Sequence, residues 1–69
     1  MNRYYFEDVK ELEKEEMTLE DLKKCLEKME TTNFYLEMKD HWSHDDFTLS
    51  YKYHDVITYL KKKIKELEG

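Results

Sequence analysis

No proline occurs in the 69 residues, and the only glycine is the last of them, Gly69. A chain written this way has no internal residue that takes positive φ at low cost and none that forces a kink. It therefore offers no glycine-rich phosphate loop, no glycine-dependent tight turn and no flexible linker. Regular segments joined by polar connections are what it can build, read as one small domain over residues 1–69. A unit of this length buries only about 60% of the surface its unfolded chain exposes, which leaves little scaffold for a deep catalytic cleft.

Apolar spacing divides the chain into four parts. From Glu7 to Glu16 the residues are strong helix formers, with Tyr5, Val9 and Leu12 as a thin stripe. Thr18 and Asp21 form a capping-box pair that opens a second helix on Leu19, Leu22, Leu26 and Met29, with Cys25 beside them. Thr31-Thr32-Asn33 are turn or strand formers and are expected to end it. The period then changes to two. Phe34, Leu36 and Met38 alternate with polar residues, as do Phe47, Leu49, Tyr51 and Tyr53. Around the polar link Ser43-His44-Asp45-Asp46 this predicts a β-hairpin in which Trp42 pairs with Phe47. Helical spacing returns at Val56, Ile57, Leu60, Ile64 and Leu67, with Asp55 as N-cap. The expected fold is α+β, in the order helix, helix, β-hairpin, helix. Residues 2–6 are either a short N-terminal strand or the first turn of a helix. An isolated hairpin is marginal, so helices, a third strand or a partner must cover it.

Charge is unevenly distributed. Residues 1–21 hold eight acids and three bases, whereas residues 61–69 hold four lysines and two glutamates. All eight of those acids lie between Glu7 and Asp21. As continuous helix that stretch would be about 22 Å long at 1.5 Å per residue. It would carry one negative charge per roughly 3 Å, within a factor of two of duplex DNA. Glu7, Glu11 and Glu15 would line one face about 6 Å apart. Asp40, Asp45 and Asp46 form a second acidic cluster at the expected hairpin tip. Two readings follow: an imitation of a phosphate backbone that occupies a basic groove, or a solvated helix face with weak Lys10 and Lys14 pairs. The net charge of −5 disfavours direct binding of nucleic acid.

Other chemistry finds less support. His41, His44, Asp45 and Asp46 could catch a divalent metal, but His54 would lie roughly 23 Å away along a return strand. A polar turn explains them equally well, and no metal or cofactor is expected. Ser43-His44-Asp45 are consecutive and cannot make a catalytic hydrogen-bond chain. Cys25 reads as a buried, inert thiol, and the lone cysteine excludes an intramolecular disulfide. The lysine-rich end suits the negative end of a helix dipole, and could meet the acidic segment of a second copy. No run is long and apolar enough for a bilayer, nor is the start apolar enough for a signal peptide, so a cytoplasmic protein without membrane attachment is expected. Phe34, Phe47, Tyr51, Tyr53 and Trp42 are assigned to the core. Tyr4, Tyr5, Tyr35 and Tyr59 exceed what so small a core needs and suggest an interface, hence a homodimer or a constitutive partner.

The acidic run from Glu7-Asp8 to Glu20-Asp21, the many tyrosines and the lack of a catalytic motif resemble the small acidic proteins that bacteriophages make for host takeover. Several of these are DNA mimics, and the likeness is greatest to products of large Bacillus phages that include an inhibitor of the nucleoid protein HU. The resemblance is one of size, charge and composition over the whole chain. It implies a non-enzymatic inhibitor acting in the host cytoplasm on a basic DNA-binding host protein. The contacts expected on charge grounds are Glu7, Asp8, Glu11, Glu15, Glu16 and Glu20, with Asp40, Asp45 and Asp46 secondary. The lysine-rich end departs from a uniformly acidic mimic. The alternative is a dimeric adaptor or regulatory module that binds a protein partner through its aromatic hairpin surface, Tyr35 included.

Overall fold

The computed structural model describes residues 4–69, and among them it contains three helices and no strand: α1 Val9–Glu13, α2 Leu19–Glu37 and α3 His44–Glu68. The architecture is all-α, so the expected α+β fold with its β-hairpin is overturned. The segment read as two strands is the end of α2 and the beginning of α3. Of the proposed N-terminal strand, residues 2 and 3 lie outside the described residues, and Tyr4, Tyr5 and Phe6 are irregular.

Each long helix begins with a reciprocal capping box. The Thr18 hydroxyl accepts from the Asp21 amide while the Asp21 carboxylate accepts from the Thr18 amide. Ser43 and Asp46 repeat the arrangement at the head of α3, satisfying amides that have no partner within the helix. Ser43, not Asp55, is thus the N-cap, and Asp55 lies inside α3. The expected stop at Thr31-Thr32-Asn33 does not occur, because α2 continues to Glu37. Its buried stripe is Leu22, Cys25, Met29, Asn33 and Leu36, and that of α3 is Ser50, Tyr53, Val56, Ile57 and Leu60. Both are helical in spacing, but each has a polar residue at a core position. Asn33 and Ser50 are each only 9% exposed. With those two positions read as surface, the remaining apolar residues on either side fall into alternation.

The aromatics that made the alternation convincing face solvent. Phe34, Phe47 and Tyr51 are 57%, 50% and 73% exposed, so their assignment to the core is also corrected. Tyr53 is buried, and Trp42 packs part-buried against the core. Trp42 does meet Phe47, edge to face at 5.0 Å, but across a helix–helix connection. Its indole N–H donates to the Leu36 carbonyl at 3.0 Å, in the last turn of α2, where carbonyls lack helical partners. This connection reverses the chain without glycine.

Ion pairs at opposite ends fix α2 and α3 as antiparallel: Lys23 to Glu68 at 3.0 Å and Glu37 to His54 at 3.9 Å, the latter charged only when His54 is protonated. The N-terminal segment closes one side of this helical hairpin. The Phe6 amide donates to Met29 Sδ at 3.4 Å, and the Cys25 thiol to the Tyr4 carbonyl at 3.2 Å. Tyr5 and Tyr53 share a 2.6 Å hydroxyl hydrogen bond and an edge-to-face ring contact. Behind them α1 packs on α3. It is far shorter than the Glu7–Glu16 helix expected. Leu12 is buried, but Glu13-Lys14-Glu15-Glu16 offers nothing to bury, and Thr18 must be extended to cap α2.

Candidate protein-interaction surfaces

The short α1 dissolves the regular row of carboxylates. Glu11 lies in α1, whereas Glu7 precedes it and Glu15 and Glu16 follow it. The i, i+4, i+8 face of Glu7, Glu11 and Glu15 therefore does not form, nor does a helix about 22 Å long. Asp8 is spent as the α1 N-cap, accepting from the Lys10 amide at 3.0 Å. Glu20 lies in the first turn of α2, 3.7 Å from Lys24. Glu7, Glu11, Glu15, Glu16 and Glu20 are all exposed, as are Asp40 and Asp45.

Asp46 differs from its neighbours. It accepts from the Ser43 amide and from Lys39 Nζ, both at 2.9 Å. The Ser43 amide first, then Lys39, hold its carboxyl below the usual carboxylate value. Its task is to start α3 and tie the connection to it, which lowers its availability to a partner.

Folding brings the two acidic stretches together. Glu7 and Asp45 line one shallow concavity of about 210 Å³ with Thr48, Leu49 and Lys52. Lys52 approaches Glu7 to 3.7 Å and locally offsets the charge. Sequence reasoning had placed these carboxylates on separate elements.

A second surface was missed. The side of the α2–α3 pair away from Phe6 is an open groove, with one stretch of about 620 Å³ lined by Leu26, Thr31, Phe34, Tyr35 and Ile64 among charged residues. It continues into a concavity of about 360 Å³ that includes Lys61, Lys65 and Glu68. Towards the connection lies another of about 270 Å³, lined by Glu30, Asn33, Glu37, His54 and Ile57 among others. Tyr35 is 66% exposed and its ring meets that of Phe34 edge to face at 6.0 Å. Asn33 Nδ2 donates to Glu37 at 3.1 Å, while its buried Oδ1 has no hydrogen-bond partner. Spacing could have revealed this face once residues 34–37 and 44–53 were read as helix.

The remaining reactive groups are structural in their surroundings. Burial pushes the Cys25 thiol up to about 11, so the nucleophilic thiolate is suppressed at neutral pH. Burial, then the bond with Tyr5, push the Tyr53 hydroxyl well above its usual value. Among the described residues no group of three or more His, Cys, Asp or Glu side chains is arranged to hold a metal ion. No helix among them is long and apolar enough to cross a membrane. No family model matches the chain, and neither a curated protein nor a solved structure is significantly similar to it.

Proposed function

We propose that this chain is a non-catalytic acidic binding protein that inhibits a basic DNA-binding protein, of the kind represented by the nucleoid protein HU, by occupying its DNA-binding surface. The observation that carries this reading is the meeting of Glu7 and Asp45 at one concavity, one acid from each of the two acidic stretches. Glu11, Glu15 and Glu16 supply further exposed carboxylates. The mechanism is competition: carboxylates take the positions of phosphates against lysines and arginines of the target. Such contacts weaken with salt because they replace screened, solvated charges.

The test is binding of the full chain to immobilised HU across a salt series, with duplex DNA as competitor. Release by salt and by DNA is expected. Glu11→Lys/Glu15→Lys/Glu16→Lys should abolish binding while leaving the far-UV circular dichroism unchanged, since these side chains are exposed and cap no helix. Glu7 and Asp8 are left out because one pairs with Lys52 and the other caps α1. Absence of binding, or binding indifferent to salt and DNA, refutes the proposal.

One observation favours a second reading, an adaptor that binds a protein through aromatic side chains. Phe34, Tyr35, Met38, Phe47 and Tyr51 are all exposed and all lie towards the α2–α3 connection. That reading predicts salt-tolerant binding lost in Tyr35→Ala. Trp42→Ala is an unsuitable probe, because the indole holds the Leu36 carbonyl.

A further inference from the structure

We infer that the open groove between α2 and α3 is covered by a second copy of this chain, giving a four-helix bundle in which α2 of each protomer lies against α3 of the other. The inference is independent of the acidic edge, which lies beyond Lys52 on the other side of α3. It begins from the charges that flank the groove. The α2 side carries Glu27, Glu30 and Glu37, and the α3 side carries His54, Lys61 and Lys65. Between them lie Leu26, Phe34, Ile57 and Ile64.

The antiparallel register decides how two such faces can meet. The Lys23–Glu68 and Glu37–His54 pairs share one register, in which Glu30 lies level with Lys61 and Leu26 with Lys65. A two-fold axis across the helices would set α2 against α2 and α3 against α3, acid on acid and lysine on lysine. A two-fold axis parallel to the helices keeps every level and exchanges the helices. Glu30 then faces the lysine at position 61 of the other copy, Glu27 approaches the one at position 65, and position 37 faces position 54. Lys23 and Glu68, which reverse the pattern at one end, reverse it on both helices and still match. The like-charge meetings of Glu30 with Glu30 and Lys61 with Lys61 disfavour the first arrangement, and complementary charge favours the second.

Size agrees with this occupant. The body extends 39 × 21 × 19 Å, so one broad side has an outline of at most about 800 Å², the order of the area each partner buries in a standard stable interface. Leu26, Phe34 and Ile64 would form the apolar centre and the charged rows the rim.

Sedimentation equilibrium of the full chain across the micromolar range tests the inference. The expected mass is twice the 8.6 kDa of the chain. Phe34→Lys should give a monomer of unchanged helicity, since this side chain is 57% exposed. Glu30→Lys and Lys61→Glu should each weaken the dimer about tenfold or more, because every reversal acts twice in a two-fold assembly. Mixed in equal amounts, those two variants should dimerise with each other, as each supplies the charge the other lacks. A wild-type monomer throughout the range overturns the inference and leaves the groove to a helix of another protein. A dimer that survives Phe34→Lys, or variants that fail to rescue one another, overturns it in favour of a different surface.

Discussion

Replacing Asn33 with leucine should stabilise this protein, against the usual direction of a substitution at a buried site. Asn33 sits in the α2 stripe between Met29 and Leu36 and is 9% exposed. Its Oδ1 is buried without a partner, and such an acceptor costs about 1–3 kcal/mol. The substitution gives up the bond to Glu37, worth about 0.5–1.5 kcal/mol. It gains a few tenths of a kcal/mol in helix propensity and about 1.5–3 kcal/mol if the leucine side chain is fully buried. Overpacking can offset about 1–3 kcal/mol of that, but Asn33 borders a concavity of about 270 Å³ into which the added methyl groups can extend. The net expectation is a gain of about 1–3 kcal/mol. For a domain of this size that raises Tm by roughly 5–20 °C. Thermal and urea unfolding followed by far-UV circular dichroism measure it. An unchanged or lowered Tm, with the urea m-value unaltered, would refute the reasoning.

Two further outcomes follow from groups whose surroundings shift their titration. Cys25 is fully buried with its thiol pushed up to about 11, so a thiol reagent at neutral pH should label the native protein only as fast as it opens, and at once in urea. Rapid native labelling would contradict its place in the core. Asp46 is held below its ordinary value of 3.8 by the Ser43 amide and Lys39. Its contribution to stability is therefore full above that value and lost as pH falls through the depressed native one. Asp46→Asn should flatten the acid limb of a stability–pH curve, and an unchanged acid limb would assign the acid sensitivity to other carboxylates.

The parts of the fold legible in the sequence were those where local chemistry and core pattern agreed. Thr18-x-x-Asp21 followed by Leu22, Cys25 and Met29 announces the head of α2 without ambiguity. The same four-residue signal stands at Ser43-x-x-Asp46, but the aromatic alternation around it points to a hairpin instead. Two physical facts oppose that alternation. A tight hairpin turn favours residues at positive φ, which Ser43-His44-Asp45-Asp46 does not supply at low cost. And a polar residue can occupy a core position when its neighbours satisfy or tolerate it, as at Asn33 and Ser50. For the acidic site, residue type predicted exposure but not arrangement. Whether a carboxylate is free or already caps a helix depends on the backbone amides beside it, as Asp8 and Asp46 illustrate. The shared concavity of Glu7 and Asp45 is a tertiary fact that spacing does not encode.

The Tyr5–Tyr53 hydrogen bond joins residues 48 positions apart. The connection between α2 and α3, by contrast, is short and closed by its own Trp42. Loop-closure entropy therefore favours pairing of the two long helices first and docking of the leading segment afterwards. During synthesis the order of manufacture runs the other way. Tyr5 is made long before Tyr53 and its hydroxyl must wait for that partner, whereas Tyr4 and Phe6 can already meet Cys25 and Met29 of α2. A product cut short within α3 before Tyr53 therefore leaves Tyr5 without the hydroxyl partner it holds in the full fold, while the α2 contacts of its two neighbours can still form.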